Sequence, residues 1–281
     1  MCENEREKTF YTIRNMPKNA KQAKSNAEKA PTKAITLLLT GFDAFAGEKY
    51  NPSQLVVESF PDILKSKPRE QSLGVKEIYV HKLVLPTAGP KGWKVLKKAL
   101  DDTVAQAEGP VIVLMLGLAA MRENMSLERF AMNYRDYRAA DNSGERRLDE
   151  TIDPRAPQLL RTNLDLPHLK YMTVKAGFPC DISNHAGTFV CNELYFRALN
   201  YKRGANEIRS VLFMHLPREK VFAKTAKKVK TEHTPKDVAE KLKGVTKAGK
   251  KKQVALLCDA VIEVVENMAH EYTSRPVPRR K

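Results

Sequence analysis

A thiol, an imidazole and a carboxylate stand where strands and loops hand over to new elements, and together they could carry out acyl transfer. Cys191 lies in Ser-Asn-His-Ala-Gly-Thr-Phe-Val-Cys-Asn at 183–192, after a glycine turn and near the start of a helical pattern. A thiol there sees the positive end of a helix, which is expected to lower its pKa and raise its thiolate fraction. His215 follows the apolar run 211–214 and is halted by Leu216 and Pro217, so it falls at a strand's carboxyl end. An imidazole in that place can take a proton from a thiol and later return it to a leaving amine. Glu128 comes after the apolar run 111–118 and its loop, where a carboxylate could hold that imidazole in one tautomer. Taken singly, each has a plainer reading: a packed thiol, a satisfied loop histidine and a solvent-facing charge. For Cys191, position alone favours the packed thiol.

Other chemistries find less support. His81, His168, His233 and His270 show no metal-ligand spacing with cysteine or with one another. No glycine-rich phosphate loop of the G-x-G-x-x-G or G-x-x-x-x-G-K kind occurs. The reading therefore implies neither a metal nor a cofactor. Cys2, Cys180, Cys191 and Cys258 are scattered with no C-x-x-C pair, a pattern suited to a reducing compartment rather than a disulfide framework.

The elements that must position these groups are legible as a series. Residues 35–40 form an apolar run ended by Gly41, the pattern of a buried first strand. Asn51 and Pro52 signal a helix start, and Pro61 its end. Residues 75–85 read as one or two strands stopped by Pro86. Trp93, Leu96, Leu100 and Val104 define an amphipathic helix over 91–107. The run 111–118 is apolar on both faces, as a central parallel strand would be. A short strand over 127–132, a long polar loop over 134–168, a weak strand at 180–183, a helix from 187 to 199, a strand at 210–215 and a closing helix over 253–268 complete the series. This alternation predicts an α/β fold: a single-domain α/β/α sandwich with a twisted, mostly parallel central sheet, its functional groups at the carboxyl ends of the strands.

The formal charge of +16 is unevenly placed. Residues 1–33 hold eight basic and four acidic side chains, residues 218–252 thirteen and four, and the last eight residues four and none, so the rest of the chain is close to neutral. The expected organisation is a basic, disordered extension at 1–33, a domain at 34–273 with a lysine-rich insertion at 217–252 and a helix near 235–243, and a basic tail at 274–281. No apolar run reaches the 18 to 20 or so residues that span a bilayer. A cytoplasmic protein with no membrane partner is expected. Nucleic acid is disfavoured as a partner because the lysine-rich stretch lacks aromatic residues for stacking.

Three blocks of the sequence resemble the pyroglutamyl peptidase I (pyrrolidone carboxyl peptidase) family of cysteine peptidases. They are Thr-Gly-Phe-Asp-Ala-Phe-Ala-Gly-Glu at 40–48 with Asn-Pro-Ser at 51–53; the segment from 116–119 to Ser-Leu-Glu-Arg-Phe-Ala-Met-Asn at 126–133; and 183–192 with Met-His-Leu-Pro at 214–217. The resemblance covers about residues 34–217 and the last helix. It implies Cys191 as nucleophile, His215 as general base and acid, and Glu128 as the carboxylate that orients it. It also implies Arg138 and the backbone N–H of Cys191 as donors to the oxyanion. Phe42, Phe45 and Phe189 are expected to enclose the pyroglutamyl ring, with backbone groups near Leu118 and Val190 reading its lactam. The implied partners are N-terminally pyroglutamylated peptides, and oligomerisation is left open. Departures from the family pattern are Ala120 and Met121 in place of two glycines, Ala140 in place of proline, and His185, expected near Cys191 as a second base. Two alternatives go with the reading: a catalytically altered protein that binds nucleic acid or an acidic partner, and an amidase for another cyclic amide.

Overall fold

A computed structural model describes residues 34–65, 75–229 and 234–274; the basic extension 1–33 and residues 275–281 of the tail lie outside the described residues. A seven-stranded sheet runs through the molecule in the order β2–β3–β1–β4–β9–β5–β8. The strands are β1 (Ile35–Phe42), β2 (Ile63–Lys65), β3 (Glu77–Leu85), β4 (Val111–Leu118), β5 (Met125–Glu128), β8 (Cys180–Ser183) and β9 (Ile208–Leu216). β3, β1, β4 and β9 pair in parallel, β2 and β5 pair antiparallel to β3 and β9, and β8 runs parallel to β5. A separate ribbon joins β6 (Phe130–Met132) to β7 (Leu159–Arg161). Among the described residues no helix is long and apolar enough to cross a membrane.

Strand periodicity sorts the core into two layers. Ile112, Leu114 and Leu116 of β4 and Leu212, Met214 and Leu216 of β9 face one way. That side is covered by α1 (Pro52–Ser59), α3 (Leu166–Lys175), α5 (Glu219–Val229), α6 (Lys236–Leu242) and α7 (Lys250–Ser274). Val113 and Met115 with Val211 and Phe213 face the other way, against α2 (Gly89–Gln106) and α4 (Val190–Lys202). The period of two then puts His215 on the same side as Phe213, the side of α4. On β5, Met125 and Leu127 pack with the first layer, so Ser126 and Glu128 face α4 as well.

The strand expected over 127–132 is two strands in two sheets, β5 and β6, interrupted at Arg129. The loop expected over 134–168 is anchored rather than free. Tyr137 and Asp141 within it are buried, and Arg135 and Glu150 form a β-bridge. The lysine-rich stretch forms α5 as well as the expected helix, here α6. Phe222, Ala223 and Ala226 of α5 are fully buried, so its apolar stripe joins the core while its lysines face water.

Candidate active site

Local chemistry fixes the loop after β1. Asn51 caps α1 by accepting from the Ser53 N–H at 3.0 Å, and its amide donates to the Asp43 carbonyl at 3.1 Å. The Ser53 hydroxyl accepts from the Phe42 N–H at 3.0 Å. Gly41 is needed for this approach, because a Cβ there would stand 2.6 Å from the Ser53 carbonyl oxygen. Asp43 in turn accepts from the Thr87 N–H and the Asn142 amide. The Asn-Pro-Ser block thus both starts a helix and seats the loop carrying Phe42 and Phe45.

That loop forms one wall of a cavity of about 320 Å³, whose lining includes Phe42, Phe45, Leu118, Phe189, Cys191 and His215. The Phe45 and Phe189 rings lie 4.9 Å apart, and Tyr137 meets Phe189 edge-on at 4.7 Å. Phe42 is tucked deeper, 6.3 Å from the Phe213 ring. Val190 is fully buried and packs with the α2/α4 core layer rather than lining the cavity. Ala120 lines the cavity, while its neighbour Met121 is 96% exposed.

Cys191 is the second residue of α4. The first helical N–H with a backbone partner is that of Glu193, which donates to the Phe189 carbonyl. The N–H groups of Val190, Cys191 and Asn192 therefore precede the first bonded turn of the helix. Asn192, fully buried, ties this turn to β6: its Oδ1 accepts from the Met132 N–H, and its amide donates to the Met132 and Tyr134 carbonyls. Gly117 of β4 is the register partner of His215 on β9. A Cβ at Gly117 would lie 3.2 Å from the Cys191 Sγ and 2.8 Å from the Phe213 ring, so the thiol rests directly over the strand beside the histidine.

Glu128 is fully buried, and its Oε1 lies 2.7 Å from both the His215 Nδ1 and an Arg122 guanidinium nitrogen. Burial opposes its ionisation, but the His215, Ser183 and Arg122 contacts outweigh burial and hold the carboxyl below its usual pKa. The Tyr195 hydroxyl donates to the Glu128 carbonyl at 3.0 Å and steadies the strand end. Arg122 has no signal in the sequence. Its spacing from Glu128 is ordinary, and only the fold turns it inward.

The Cys191 thiol corrects the expectation of a lowered pKa. Burial, followed by the negative field of Glu128, pushes it up to about 12, and the Cys191 backbone N–H and Arg122 offset only part of this. The helix end acts in the expected direction, but desolvation is larger. His185 does not join the site. It is exposed, and its Nδ1 accepts from the Gly187 N–H at 3.2 Å. Arg138 is exposed and outside the cavity lining, on the segment leading to Asn142, whose amide donates to the Ala44 carbonyl and docks this loop on the cavity rim.

A second buried carboxylate supports the helix from behind. Glu193 is fully buried and accepts from the Tyr137 hydroxyl at 2.6 Å and from Arg135 and Arg197 at 2.9 Å. Burial raises its pKa, but Tyr137 and the two arginines outweigh it and hold the carboxyl below 4.5. A group depressed in this way contributes stability above its unfolded pKa, and that stability is lost as pH falls through the folded value. Glu193→Gln is expected to lower stability by about 3 kcal/mol at pH 7, because Arg135 is left buried with less charge to face. Thermal melts from pH 7 to pH 3 check this: the gap between the two proteins should narrow below about pH 4.5.

Gly117→Ala tests the seat of the thiol. The added methyl has no free space, since Phe213 is fully buried and Cys191 lies over it. A loss of about 100-fold in kcat is expected from the displaced Sγ. Destabilisation of about 1–3 kcal/mol should accompany it. Steady-state kinetics and a melting curve on the same sample would read both.

A thiol, an imidazole and a buried carboxylate at the strand ends of an α/β sheet define a cysteine hydrolase by type. The Pyroglutamyl peptidase (Peptidase_C15) profile matches residues 35–251, and the chain belongs to that family of cysteine peptidases. Among its relatives, the pyrrolidone-carboxylate peptidase of Fusobacterium nucleatum is 32% identical over 183 residues, 64% of this chain and 77% of the relative. That of Vibrio vulnificus is 34% identical over 184 residues, covering 64% and 77%. The crystal structure of pyrrolidone carboxyl peptidase from Pyrococcus furiosus superposes with a TM-score of 0.63 at 25% identity, over 85% of this chain and 99% of that one.

Proposed function

We propose that this chain removes N-terminal pyroglutamyl residues from peptides through a thioester on Cys191. The observation that carries this reading is the shared cavity: Cys191 and His215 line one apolar chamber, and Glu128 holds the far side of the His215 ring.

Because the thiol pKa is raised, Cys191 enters the reaction as a thiol. The His215 Nε2 takes its proton as Sγ attacks the pyroglutamyl acyl carbonyl. The Cys191 N–H, at the unbonded start of α4, donates to the oxyanion, and Arg138, on the loop docked at the cavity rim, adds its positive charge. When the intermediate collapses, the C–N bond breaks, and His215 returns the proton to the departing amine. Water deprotonated by His215 then cleaves the thioester, restoring the thiol and releasing pyroglutamate. Glu128 stays ionised throughout and stabilises the imidazolium.

The walls favour an uncharged end group. A lactam ring can lie against Phe45, Phe189 and Phe42 while backbone groups near Leu118 and Val190 meet its N–H and C=O. An ordinary N-terminal ammonium would lose its hydration against the same rings. A cytoplasmic setting suits the free thiols of Cys180, Cys191 and Cys258. Association into oligomers is compatible with the exposed face of α2 and belongs to the same reading. The test is hydrolysis of a pyroglutamyl fluorogenic amide by reduced protein, with prolyl and glutaminyl amides alongside; cleavage of the latter two in preference would overturn the assignment.

A further inference from the structure

We propose that the peptide beyond the pyroglutamyl group leaves the cavity over the lysine face of α5 and the start of α7, so that the enzyme favours substrates with acidic residues following the second position. This inference rests on the hydrolysis proposed above. With the ring held among the phenylalanines, a longer substrate must cross the cavity's rim to reach solvent. Residues 46–49 are exposed and form that rim, with Ala46 and Glu48 also lining the cavity.

The rim is fastened to the lysine-rich layer. Glu48 pairs with Arg218 through both carboxylate oxygens, at 2.5 and 3.1 Å. The Tyr50 hydroxyl donates to Glu219 at 2.6 Å, and the Lys250 Nζ stands 3.7 Å from the centroid of the Tyr50 ring. A chain passing over Glu48 and Tyr50 therefore meets the beginnings of α5 and α7. The charges at the rim itself compensate one another, but those beyond it do not. Lys220, Lys224, Lys227 and Lys228 share one exposed face of α5, and Lys251 and Lys252 are exposed at the start of α7. None of these six forms an ion pair among the described residues. Three acidic groups of the layer are engaged elsewhere, Glu219 with Tyr50, Glu240 with Lys243 and Asp259 with Lys241, and Asp237 stands exposed on α6.

Lengths agree with this path. From Lys220 to Lys228 the helix advances about 12 Å at 1.5 Å per residue, the span of roughly four residues of extended peptide. Carboxylates in about the third to seventh substrate positions would run beside the lysines. A polynucleotide fits the face less well. Phe222 is the single Phe, Tyr or Trp of 219–252 and is fully buried, so α5 offers bases no ring on which to stack.

The experiment compares a hexapeptide pyroglutamyl-Ala-Glu-Asp-Glu-Asp with its all-alanine counterpart, using the full chain. In low salt the acidic peptide is expected to show a KM roughly tenfold lower with kcat unchanged. The gap should close in about 0.5 M salt, where screening acts within a few ångströms. The combined variant Lys224→Gln, Lys227→Gln and Lys228→Gln should weaken the preference, and the Glu triple, which balances the three lysines left, should remove it. Equal KM values with both peptides cleaved, or a preference undiminished in either triple, would overturn the inference and leave the hydrolysis standing. A face that binds a polynucleotide while acidic peptides show no advantage would also overturn it. Failure to cleave either peptide would remove the hydrolysis reading and this inference with it.

Discussion

Cys191→Ala is expected to abolish cleavage of a pyroglutamyl amide, with a loss of roughly 10⁴-fold or more in kcat. The fold should be nearly unaffected, because the substitution deletes one sulfur from a turn held elsewhere. Asn192 keeps its three bonds to β6, and Glu193 keeps Tyr137, Arg135 and Arg197. A melting point within the shift of about 1 kcal/mol would separate loss of the nucleophile from loss of structure. The wild-type thiol adds a second readout. With its pKa pushed up to about 12, alkylation by iodoacetamide should keep accelerating from pH 6 to pH 9 without a plateau. Of the described cysteines, Cys191 is the one in the cavity lining, whereas Cys180 and Cys258 are buried and also pushed up to about 12. Alkylation should therefore fall on Cys191 before those two. Full activity in Cys191→Ala, or a plateau near pH 7, would contradict a neutral thiol activated by His215.

The raised thiol pKa shows where reading the sequence stops. The three central strands were legible because they are buried on both faces and so read as unbroken apolar runs. The start of α1 was legible because Asn51 and Pro52 act within four residues of each other. The site's main groups could be placed by the same local rules, since a strand end and a helix start are local events. The Cys191 pKa depends instead on what closes over it, and the helix-end effect loses to desolvation that only tertiary packing creates. Arg122 was silent for the same reason: its ion pair with Glu128 comes from the turn after β4, not from any periodic pattern. Among the helices, α3 was missed although Asp165 caps it and Pro167 stands in its first turn, because its apolar residues form no strong stripe. α5 was obscured by its lysines, although Phe222, Ala223 and Ala226 at steps of one and three mark the buried stripe. In that stretch the abundance of charge described the solvent face and hid the other.

The Arg122–Glu128–His215 chain leads to the second large effect. Glu128→Gln preserves the shape and volume of the side chain but removes its charge, and kcat is expected to fall by about 10² to 10⁴. Two losses combine. The amide can present N–H to the His215 Nδ1, which reverses the hydrogen bond and favours the tautomer with the proton on Nε2, where it cannot accept from the thiol. The imidazolium formed during attack also loses the carboxylate that lies 2.7 Å away. KM should change little, because Glu128 lies behind the histidine and does not line the cavity. The thiol should respond in the opposite sense. Removing the negative field of Glu128 takes away the second contribution to the raised Cys191 pKa, so the variant should alkylate faster than wild type at a given pH while hydrolysing far more slowly. Glu128→Asp, which keeps the charge but shortens the reach, should recover part of kcat and restore the slower alkylation. A purely structural role would lower hydrolysis and alkylation together, so the opposed changes distinguish a carboxylate that orients and stabilises His215 from one that merely fills the space behind it.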